Sequence, residues 1–228
     1  MAEFVLKDYP MEEFSGLYAR MERDFPRNER PGRLQLKGLL ARGACHALGL
    51  YRDGAFAGYA LYARQGPDIL ITFLAIEPEM RGAGCGSALL NLLSQRFQDA
   101  ACLILEVEHP NFAQDEAERQ TRLRRIAFYE RAGFRLMRDI RYSAFGVQML
   151  LMARAMGQDF STVRARIIPA MGHLYARLLP RILIHNILLE EIHRVQSRVI
   201  RHDAVSAGSM PARGLGVPGA IPVLYPGG

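Results

Sequence analysis

A buried strand that leads through a glycine-rich loop into an amphipathic helix is the feature that most constrains this chain. The strand is the apolar run Ile69–Ile76, the loop spans residues 77–87, and apolar residues at helical spacing follow at 89, 90, 93 and 97. A second apolar run, Leu103–Glu108, comes next. Two strands joined by a helix pair in parallel through a right-handed crossover, so the sequence predicts a parallel strand pair with this loop at one end.

Elements on either side of the crossover complete a mixed sheet. Asp53-Gly54 supplies the positive φ angles of a tight turn, which predicts a hairpin over residues 47–62. Apolar residues at three-and-four spacing predict a helix over Pro10–Phe25. The other predicted elements are a short helix around Leu36–Leu40, a helix over Arg122–Arg131 capped by Gly133, and strands over 134–142 and 147–153. The sequence therefore predicts an α/β domain over residues 1–154, in the α+β sense of a mixed sheet with helices.

The rest of the chain divides into two segments. Residues 155–203 are predicted to form a helical extension, interrupted at Pro169 and Pro180, with an apolar stripe that starts at Ile184 and recurs at 188, 192, 195 and 199. This stripe either covers the domain or pairs with a second subunit as a homodimer, and the sequence does not choose. Residues 204–228 include six glycines and four prolines, which predicts a flexible tail.

Several classes of protein are excluded by what the sequence lacks. Three cysteines, at positions 45, 85 and 102, match neither a zinc pair nor a disulfide framework, which favours a reducing cytoplasm. The histidines of the extension have no ligand spacing, so we expect no metal. The N-terminus carries no secretory pattern, and no run reaches the roughly 18 apolar residues that a membrane span needs. We therefore expect a cytoplasmic protein without a membrane span.

The glycine loop is suited to binding a phosphate. Glycines let several backbone N–H groups point at one anion, and the following helix N-terminus adds partial positive charge. A P-loop needs a lysine followed by serine or threonine, which residues 83–87 do not offer. A dinucleotide fingerprint fails as well, because its third glycine falls on Ser87 or Leu89. The ligand is therefore expected to be another phosphate-bearing molecule.

The loop resembles the acyl-CoA signature of the GNAT superfamily of N-acyltransferases. That pattern is Arg or Gln, two residues, Gly, one residue, then Gly or Ala, and here the loop Arg81–Gly86 reads RGAGCG after Ala75-Ile76-Glu77-Pro78. A second segment, Ile126–Phe134, reads IAFYERAGF and resembles the family's later helix with its tyrosine and terminal Gly-Phe. The resemblance covers roughly residues 1–154. It implies the GNAT fold, followed here by the C-terminal helical extension.

The resemblance also implies a function, an N-acetyltransferase in which an amine attacks the acetyl-CoA thioester directly. Tyr129 falls where the family often places a general acid for the departing thiolate; a packed aromatic ring is the alternative. The strand end would present backbone groups to the pantetheine arm and polarise the thioester carbonyl. The cofactor-binding residues implied are Leu74, Ala75, Ile76, Arg81, Gly82, Ala83, Gly84, Cys85, Gly86 and Ser87.

One departure from the family pattern concerns the helix before the tyrosine. Many relatives carry Asn seven residues and Ala four residues before it, where this chain has Arg122 and Arg125. The asparagine contact to CoA is therefore in doubt. These arginines, with Arg124, either meet CoA phosphates or form a solvated face that balances nearby acids.

Acidic residues supply the candidates for the acceptor side. Period-two alternation places Glu106 and Glu108 on one side of their strand. We expect Glu106 to be the catalytic base or amine anchor and Glu108 to bound the acceptor site, with pairing to the nearby arginines as the alternative for each. Glu29 lies in the loop between the first two helices and is a further candidate for binding substrate. Five acids and no Lys or Arg from 106 to 118 favour a cationic amine.

The net charge of +6 does not point to nucleic acid. Residues 155–228 hold eight arginines and four acids, which gives the extension and tail +4 and leaves +2 for the first 154 residues. We therefore expect acetyl transfer from acetyl-CoA to a primary amine of a small molecule or peptide. The alternatives are a toxin-like acetyltransferase that acts on charged tRNA and a catalytically inactive CoA-binding regulatory module.

Overall fold

The computed structural model describes residues 2–192 of the 228-residue chain. In this part, strands form one sheet and α-helices pack on both of its faces. The strands are β1 (Phe4–Asp8), β2 (His46–Arg52), β3 (Ala55–Gln65), β4 (Asp68–Ile76), β5 (Cys102–Glu108), β6 (Arg135–Leu136), β7 (Ile140–Ala144), β8 (Val147–Ala155) and β9 (Ile187–Glu191). The α-helices are α1 (Phe14–Asp24), α2 (Arg33–Ala41), α3 (Cys85–Arg96), α4 (Glu116–Arg131) and α5 (Phe160–Leu178).

The sheet is mixed, and its one parallel pair among the described strands is β4 with β5. The order is β1, β2, β3, β4, β5, β8, β7, β9, with β6 paired to β8 off this path. Helix α3 makes the crossover between β4 and β5. The hairpin turn is also confirmed, because Asp53 has φ +50° and Gly54 has φ +82°. The predicted α+β architecture is therefore confirmed.

The ladder between β4 and β5 ends half-way along both strands. Its pairs begin at Asp68 with Cys102 and stop at Ile71 with Leu105. The rest of β4 and β5 share no pair, although β4 stays paired to β3, and β5 to β8, up to their last residues. The two halves of the sheet therefore separate here, and backbone groups on the facing edges lack a strand partner.

Each face of the sheet buries its own hydrophobic core. One core takes the apolar stripes of α1, α2 and α5, with Leu17, Leu36 and Leu174 among its members. The other takes α3 and α4, with Leu89 and Tyr129 among its members. Because alternate residues of a strand point to opposite faces, neighbouring residues of β5 serve different cores: Ile104 lies in the first and Leu105 in the second.

Helix α5 is an integral part of the first core. Seven of its residues are buried, at positions 163, 167, 170, 171, 174, 175 and 178. Arg166 adds an ion pair of 2.8 Å to the buried carboxylate of Asp68, at the start of β4. Helix α5, which belongs to the predicted extension, therefore packs directly on the sheet. The proposed domain boundary at residue 154 stays a prediction from sequence.

Two expectations about the extension are wrong. Helix α5 runs through Pro169 without interruption; Pro169 and Ala165, whose carbonyl loses its helical donor, are both exposed, so water can replace that bond. Residues Ile187–Glu191 form strand β9 instead of a helix, because pairing with β7 outweighs the helical spacing of their apolar residues. Pro180 does follow the end of α5. The predicted helix beyond residue 192 and the predicted tail, 204–228, lie outside the described residues.

Truncation of a buried α5 side chain tests whether the helix stabilises the domain. We expect Leu174→Ala to lower the free energy of unfolding by about 2–5 kcal/mol, because Leu174 is fully buried against the sheet. Ile182→Ala, at a side chain that is 76% exposed, should change it by less than about 0.5 kcal/mol. Urea unfolding followed by circular dichroism measures both. If Leu174→Ala unfolds at the same urea concentration as the parent protein, the packing of α5 on the sheet would be contradicted.

Candidate active site

The glycine loop forms an open cradle at the N-terminus of α3. Gly82 and Gly84 have φ of +73° and +78°, a left-handed conformation that side chains rarely adopt. A Cβ added at either position would meet no heavy atom within 4 Å. The backbone N–H groups of the first turn of α3 have no helical partner. The loop therefore presents free donors to an empty space, which suits an anion.

A cavity of about 470 Å³ lies against this loop and is lined by cations. The charged residues in its lining, among those that the structure describes, are all arginines: Arg81, Arg124, Arg125 and Arg131. Loop and strand residues complete it, namely Ile76, Met80, Gly82, Gly84, Cys85, Gly86 and Ser87, with Thr121, Ala127 and Phe128 from α4. The groove therefore combines fixed positive charge with apolar surface, as a ligand with both phosphates and an organic arm requires.

Most of the predicted cofactor-binding residues line this cavity, and a few do not. Leu74 and Ala75 are buried within β4, and Ala83 is exposed at the loop without lining the cavity. Cys85 begins α3 and is 1% exposed, with its side chain in the second core. Arg81 donates from Nε to the carbonyl of Ile76 at 3.3 Å and so ties the loop to the end of β4.

Tyr129 follows Phe128, which lines the groove, but Tyr129 is not itself among the lining residues, and its hydroxyl is buried. Its side chain is fully buried, and its ring contacts Phe128 and Phe134. The hydroxyl has no hydrogen-bond partner among the described residues, an uncommon state for a buried polar group. Burial raises the pKa of Tyr129 to about 12, and the nearby Arg125 opposes that rise. The phenol is therefore protonated at neutral pH and has a proton to donate.

Glu106 lies on the opposite face of the sheet, where two tyrosines hold it. Its Oε1 accepts hydrogen bonds from the hydroxyl of Tyr142, on β7, and from that of Tyr175, on α5, at 2.5 Å for the latter. The two hydroxyls also contact each other at 2.5 Å. Oε2 is buried and has no partner among residues 2–192. Burial raises the pKa of Glu106 to about 7, and the two tyrosine hydrogen bonds oppose that rise.

Glu108 is paired with the arginines of α4. Its two oxygens accept from Arg122 and Arg125, each at 2.9 Å. Arg122 also bonds Glu118 at 2.6 Å and the carbonyl of His109 at 2.8 Å. Glu108 is therefore paired with nearby arginines, which was the alternative to a role at the acceptor site. The three arginines of α4, Arg122, Arg124 and Arg125, have different surroundings. Arg122 serves the ion pairs, Arg124 lines the groove, and Arg125 does both.

Glu29 lines a smaller cavity that adjoins the groove. This cavity, of about 130 Å³, shares Thr121 and Arg125 with the large one, and its lining also includes Pro26, Glu108, Glu118 and Arg122. Oε2 of Glu29 is buried without a partner in the described part of the chain. Burial, followed by the charge of Glu108, raises the pKa of Glu29 to about 7, against the lowering effect of Arg125 and Arg122.

The acidic segment of residues 106–118 is less available than its sequence suggests. Glu106 is buried, while Glu108 and Glu118 are paired with Arg122. Asp115 caps α4 by accepting from the N–H of Glu118 at 2.7 Å. These acids stabilise the local structure through their pairs and the helix cap, a role that their spacing in the sequence does not reveal.

Residues 2–192 show neither a cluster of metal-binding side chains nor a helix that could span a membrane. This part of the chain contains no group of three or more His, Cys, Asp or Glu side chains placed to hold a metal ion. None of its helices has the length and apolarity that crossing a bilayer requires.

The glycine loop and its arginine-lined groove lie at the end of β4, beyond the point where the ladder to β5 has stopped. The model of the acetyltransferase (GNAT) family matches residues 9–134, more than half of the chain. The protein therefore belongs to the GNAT acetyltransferase family. No curated protein matches the sequence.

Solved structures share the fold at low sequence identity. A protein assigned to the GNAT family from Bacteroides thetaiotaomicron is 23% identical, with a TM-score of 0.61, and the match covers 77% of this chain and 99% of that one. The ribosomal-protein-S18-alanine N-acetyltransferase of Escherichia coli is 20% identical, with a TM-score of 0.51, over 69% of this chain and 96% of that one. An IAA acetyltransferase from Bacillus cereus is 16% identical, with a TM-score of 0.50, over 67% and 99%.

Replacement of a loop glycine tests the cradle. We expect Gly84→Val to weaken CoA binding about tenfold or more, because a β-branched residue at φ +78° forces the loop out of shape. Gly38→Ala is the matched control: Gly38 lies inside α2 with open space at its Cβ, so affinity should not change. Isothermal titration calorimetry with CoA measures both. Equal affinities for Gly84→Val and the parent protein would contradict the cradle.

The raised pKa of Glu29 makes a prediction about stability. A carboxyl whose pKa is about 7 when folded, against 4.5 ordinarily, favours folding when protonated and costs stability as pH rises through that window. We expect Glu29→Gln to raise the melting temperature above that of the parent at pH 8 and to leave it unchanged at pH 4. Thermal unfolding at both pH values measures this. A lower melting temperature for the variant at pH 8 would show that Glu29 is stabilised as the anion.

Proposed function

We propose that this protein transfers the acetyl group of acetyl-CoA to a primary amine of a small molecule or peptide. The observation that carries the proposal is the arginine-lined groove, which joins the glycine loop to Ile76, in the half of β4 that has separated from β5. Tyr129 and Glu106, two buried groups of complementary chemistry on opposite faces of the sheet, support it as candidate acid and base.

The groove accounts for binding of the donor. CoA carries a pyrophosphate and a third phosphate, and N–H groups of Gly82–Gly86 with the N-terminus of α3 would hold the pyrophosphate, with Ser87 beside it. Arg81, Arg124 and Arg131 supply positive charge for the remaining phosphate. The apolar part of the lining, with Met80 and Phe128, suits the pantetheine arm.

The separation of β4 from β5 accounts for the position of the thioester. Beyond Ile71, the edge of β4 that faces β5 has no strand partner among the described residues, so its N–H groups can donate to the arm and to the thioester carbonyl. Donors placed where negative charge develops stabilise the tetrahedral transition state. Residues Leu74–Ile76 take this role through their backbone, which agrees with the burial of the Leu74 and Ala75 side chains.

Proton transfers at the two buried groups complete the reaction. The amine nitrogen attacks the thioester carbon, and Oε2 of Glu106, which has no partner among residues 2–192, accepts the proton that the nitrogen loses, directly or through one water. The carbon–sulfur bond then breaks, and the hydroxyl of Tyr129 protonates the departing thiolate. Amine and thioester become amide and thiol, and the proton on Glu106 returns through solvent to Tyr129.

The small cavity accounts for the acceptor. Glu29 supplies a carboxylate for an ammonium group, and Glu108, fixed by its two arginines, bounds the cavity. A cationic amine such as a polyamine, an aminoglycoside-like molecule or a basic peptide is the acceptor that this carboxylate favours. Three free, buried cysteines among the described residues suit a reducing cytoplasm as the place of action. A homodimer formed through the extension stays a prediction.

An amine panel with a tyrosine variant tests the proposal. We expect thiol release from acetyl-CoA with cationic primary amines, and we expect Tyr129→Phe to lower kcat about 100-fold, since general acid catalysis contributes this much or more. CoA affinity, measured by calorimetry, should stay within about threefold because the ring that packs on Phe128 is retained.

Three other outcomes would contradict the proposal in different ways. CoA binding without turnover on any amine would identify a CoA-binding module. Turnover restricted to charged tRNA would identify the toxin-like activity. A preference for anionic acceptors would leave acetyl transfer in place but refute the role of Glu29.

A further inference from the structure

The carboxylate of Glu106 is held by side chains from outside the part of the chain that matches the family model. That match ends at residue 134, whereas Tyr142 lies on β7 and Tyr175 on α5. Both hydroxyls nevertheless reach the same oxygen, Oε1, from separations of 36 and 69 residues along the chain. The helix that follows the matched region therefore contributes directly to the environment of a buried carboxylate in the candidate active site.

The geometry gives the two oxygens of Glu106 different tasks. Oε1 accepts from two tyrosine hydroxyls, while Oε2 is buried without a partner among the described residues. Hydrogen bonds to one oxygen fix the orientation of the carboxylate and favour its ionised form. The other oxygen stays available to accept a proton. A base needs both properties, a fixed orientation and a free oxygen.

The surroundings of Glu106 contain few other charges. In β5, Glu108 is the next residue on the same side, and it is neutralised by Arg122 and Arg125 of α4. The partner of Glu106 in β8 is the apolar Leu151. On α5, Arg166 is paired with Asp68, and the exposed His173 and Arg177 face away from the core. The two tyrosines are thus the polar groups that bond this carboxyl among residues 2–192.

Helix α5 is anchored firmly enough to hold Tyr175 in place. Arg166 binds Asp68 at one end of the helix, and Met171 and Leu174 are fully buried on the side that carries Tyr175. At the other end, Arg177 donates to the carbonyl of Gly43 at 2.9 Å. A tyrosine on such a helix loses little freedom on bonding Glu106, because packing has already fixed its rotamer.

We propose that α5 completes the active site, with Tyr175 and Tyr142 as positioning residues that orient Glu106 and keep it ionised for its role as the base. This inference rests on the proposed function, since it assigns Glu106 to acetyl transfer. It adds that the catalytic unit extends to at least residue 178, beyond the boundary at 154 that the sequence suggests.

The pH dependence of the reaction tests the inference. The carboxyl of Glu106 must be ionised to accept a proton, so kcat should rise with pH through about 7. Tyr175→Phe and Tyr142→Phe each remove a donor that favours the anion. Each variant should therefore move this rise upward by about one pH unit, so that kcat falls about tenfold below the midpoint and little at high pH.

Tyr59→Phe is the matched control. Tyr59 is buried on the same sheet and also donates to a carboxylate, that of Asp24, at 3.0 Å. Its loss should lower the free energy of unfolding about as much as the loss of Tyr175 but should not move the pH dependence. If Tyr175→Phe and Tyr142→Phe lower kcat by the same factor at every pH, or leave it unchanged, the two tyrosines are structural and the inference is overturned.

A second readout does not depend on turnover. Carbon-13 NMR of protein labelled at the glutamate carboxyl carbons follows the titration of Glu106, assigned by its loss in Glu106→Gln. We expect the midpoint in Tyr175→Phe to lie about one unit above that of the parent. An unshifted midpoint overturns the inference. Absence of turnover in the parent protein overturns the proposed function instead, and a shifted midpoint would then still support the hold of the tyrosines on Glu106.

Discussion

The β-ladder between β4 and β5 stops after Ile71 and Leu105, and the candidate site is built around that end. A parallel pair that continued to the ends of both strands would satisfy the backbone groups of Leu74–Ile76 and close the sheet. Each strand instead keeps its other neighbour, β3 or β8, so the sheet stays rigid on both sides of the gap. Tyr129 belongs to the core on one face of the sheet, and the two tyrosines that bond Glu106 belong to the core on the other face.

The free-energy cost of burying a charged side chain explains how the charged residues near this gap are paired. Among the described residues, the lining of the large groove contains arginines but no carboxylate, which suits a polyanionic donor. Arg122 and Arg125 are buried, and a buried guanidinium needs partners: Glu108 pairs with both, and Glu118 pairs with Arg122. Glu29 and Glu106 each have a buried oxygen without a partner in the described part of the chain, and burial raises the pKa of both to about 7. The same helix α4 thus separates an anion-binding groove from a small acidic cavity.

Elements that depend on residues close in sequence could be predicted, whereas elements and contacts that form between distant residues could not. The crossover, the Asp53-Gly54 turn and the glycine loop depend on residues close in sequence, and the structure confirms them. Strand β1 carries no clear alternation and forms through its pairing with β2, so its sequence alone did not indicate it. The apolar residues at 184, 188 and 192 fit a helix, yet pairing with β7 makes a strand of residues 187–191. Tyr142 and Tyr175 meet Glu106 across 36 and 69 residues, and no local signal marks such a contact.

The proposed acetyl transfer requires the gap between β4 and β5 to hold the thioester of acetyl-CoA between Glu106 and Tyr129. A crystal structure of the protein with acetyl-CoA would show where the thioester lies. We expect the pyrophosphate at about 3 Å from N–H groups of Gly82–Gly86, as hydrogen bonding requires, and the thioester sulfur within hydrogen-bond reach of the Tyr129 hydroxyl. A thioester bound outside the gap, away from both groups, would refute the proposed reaction.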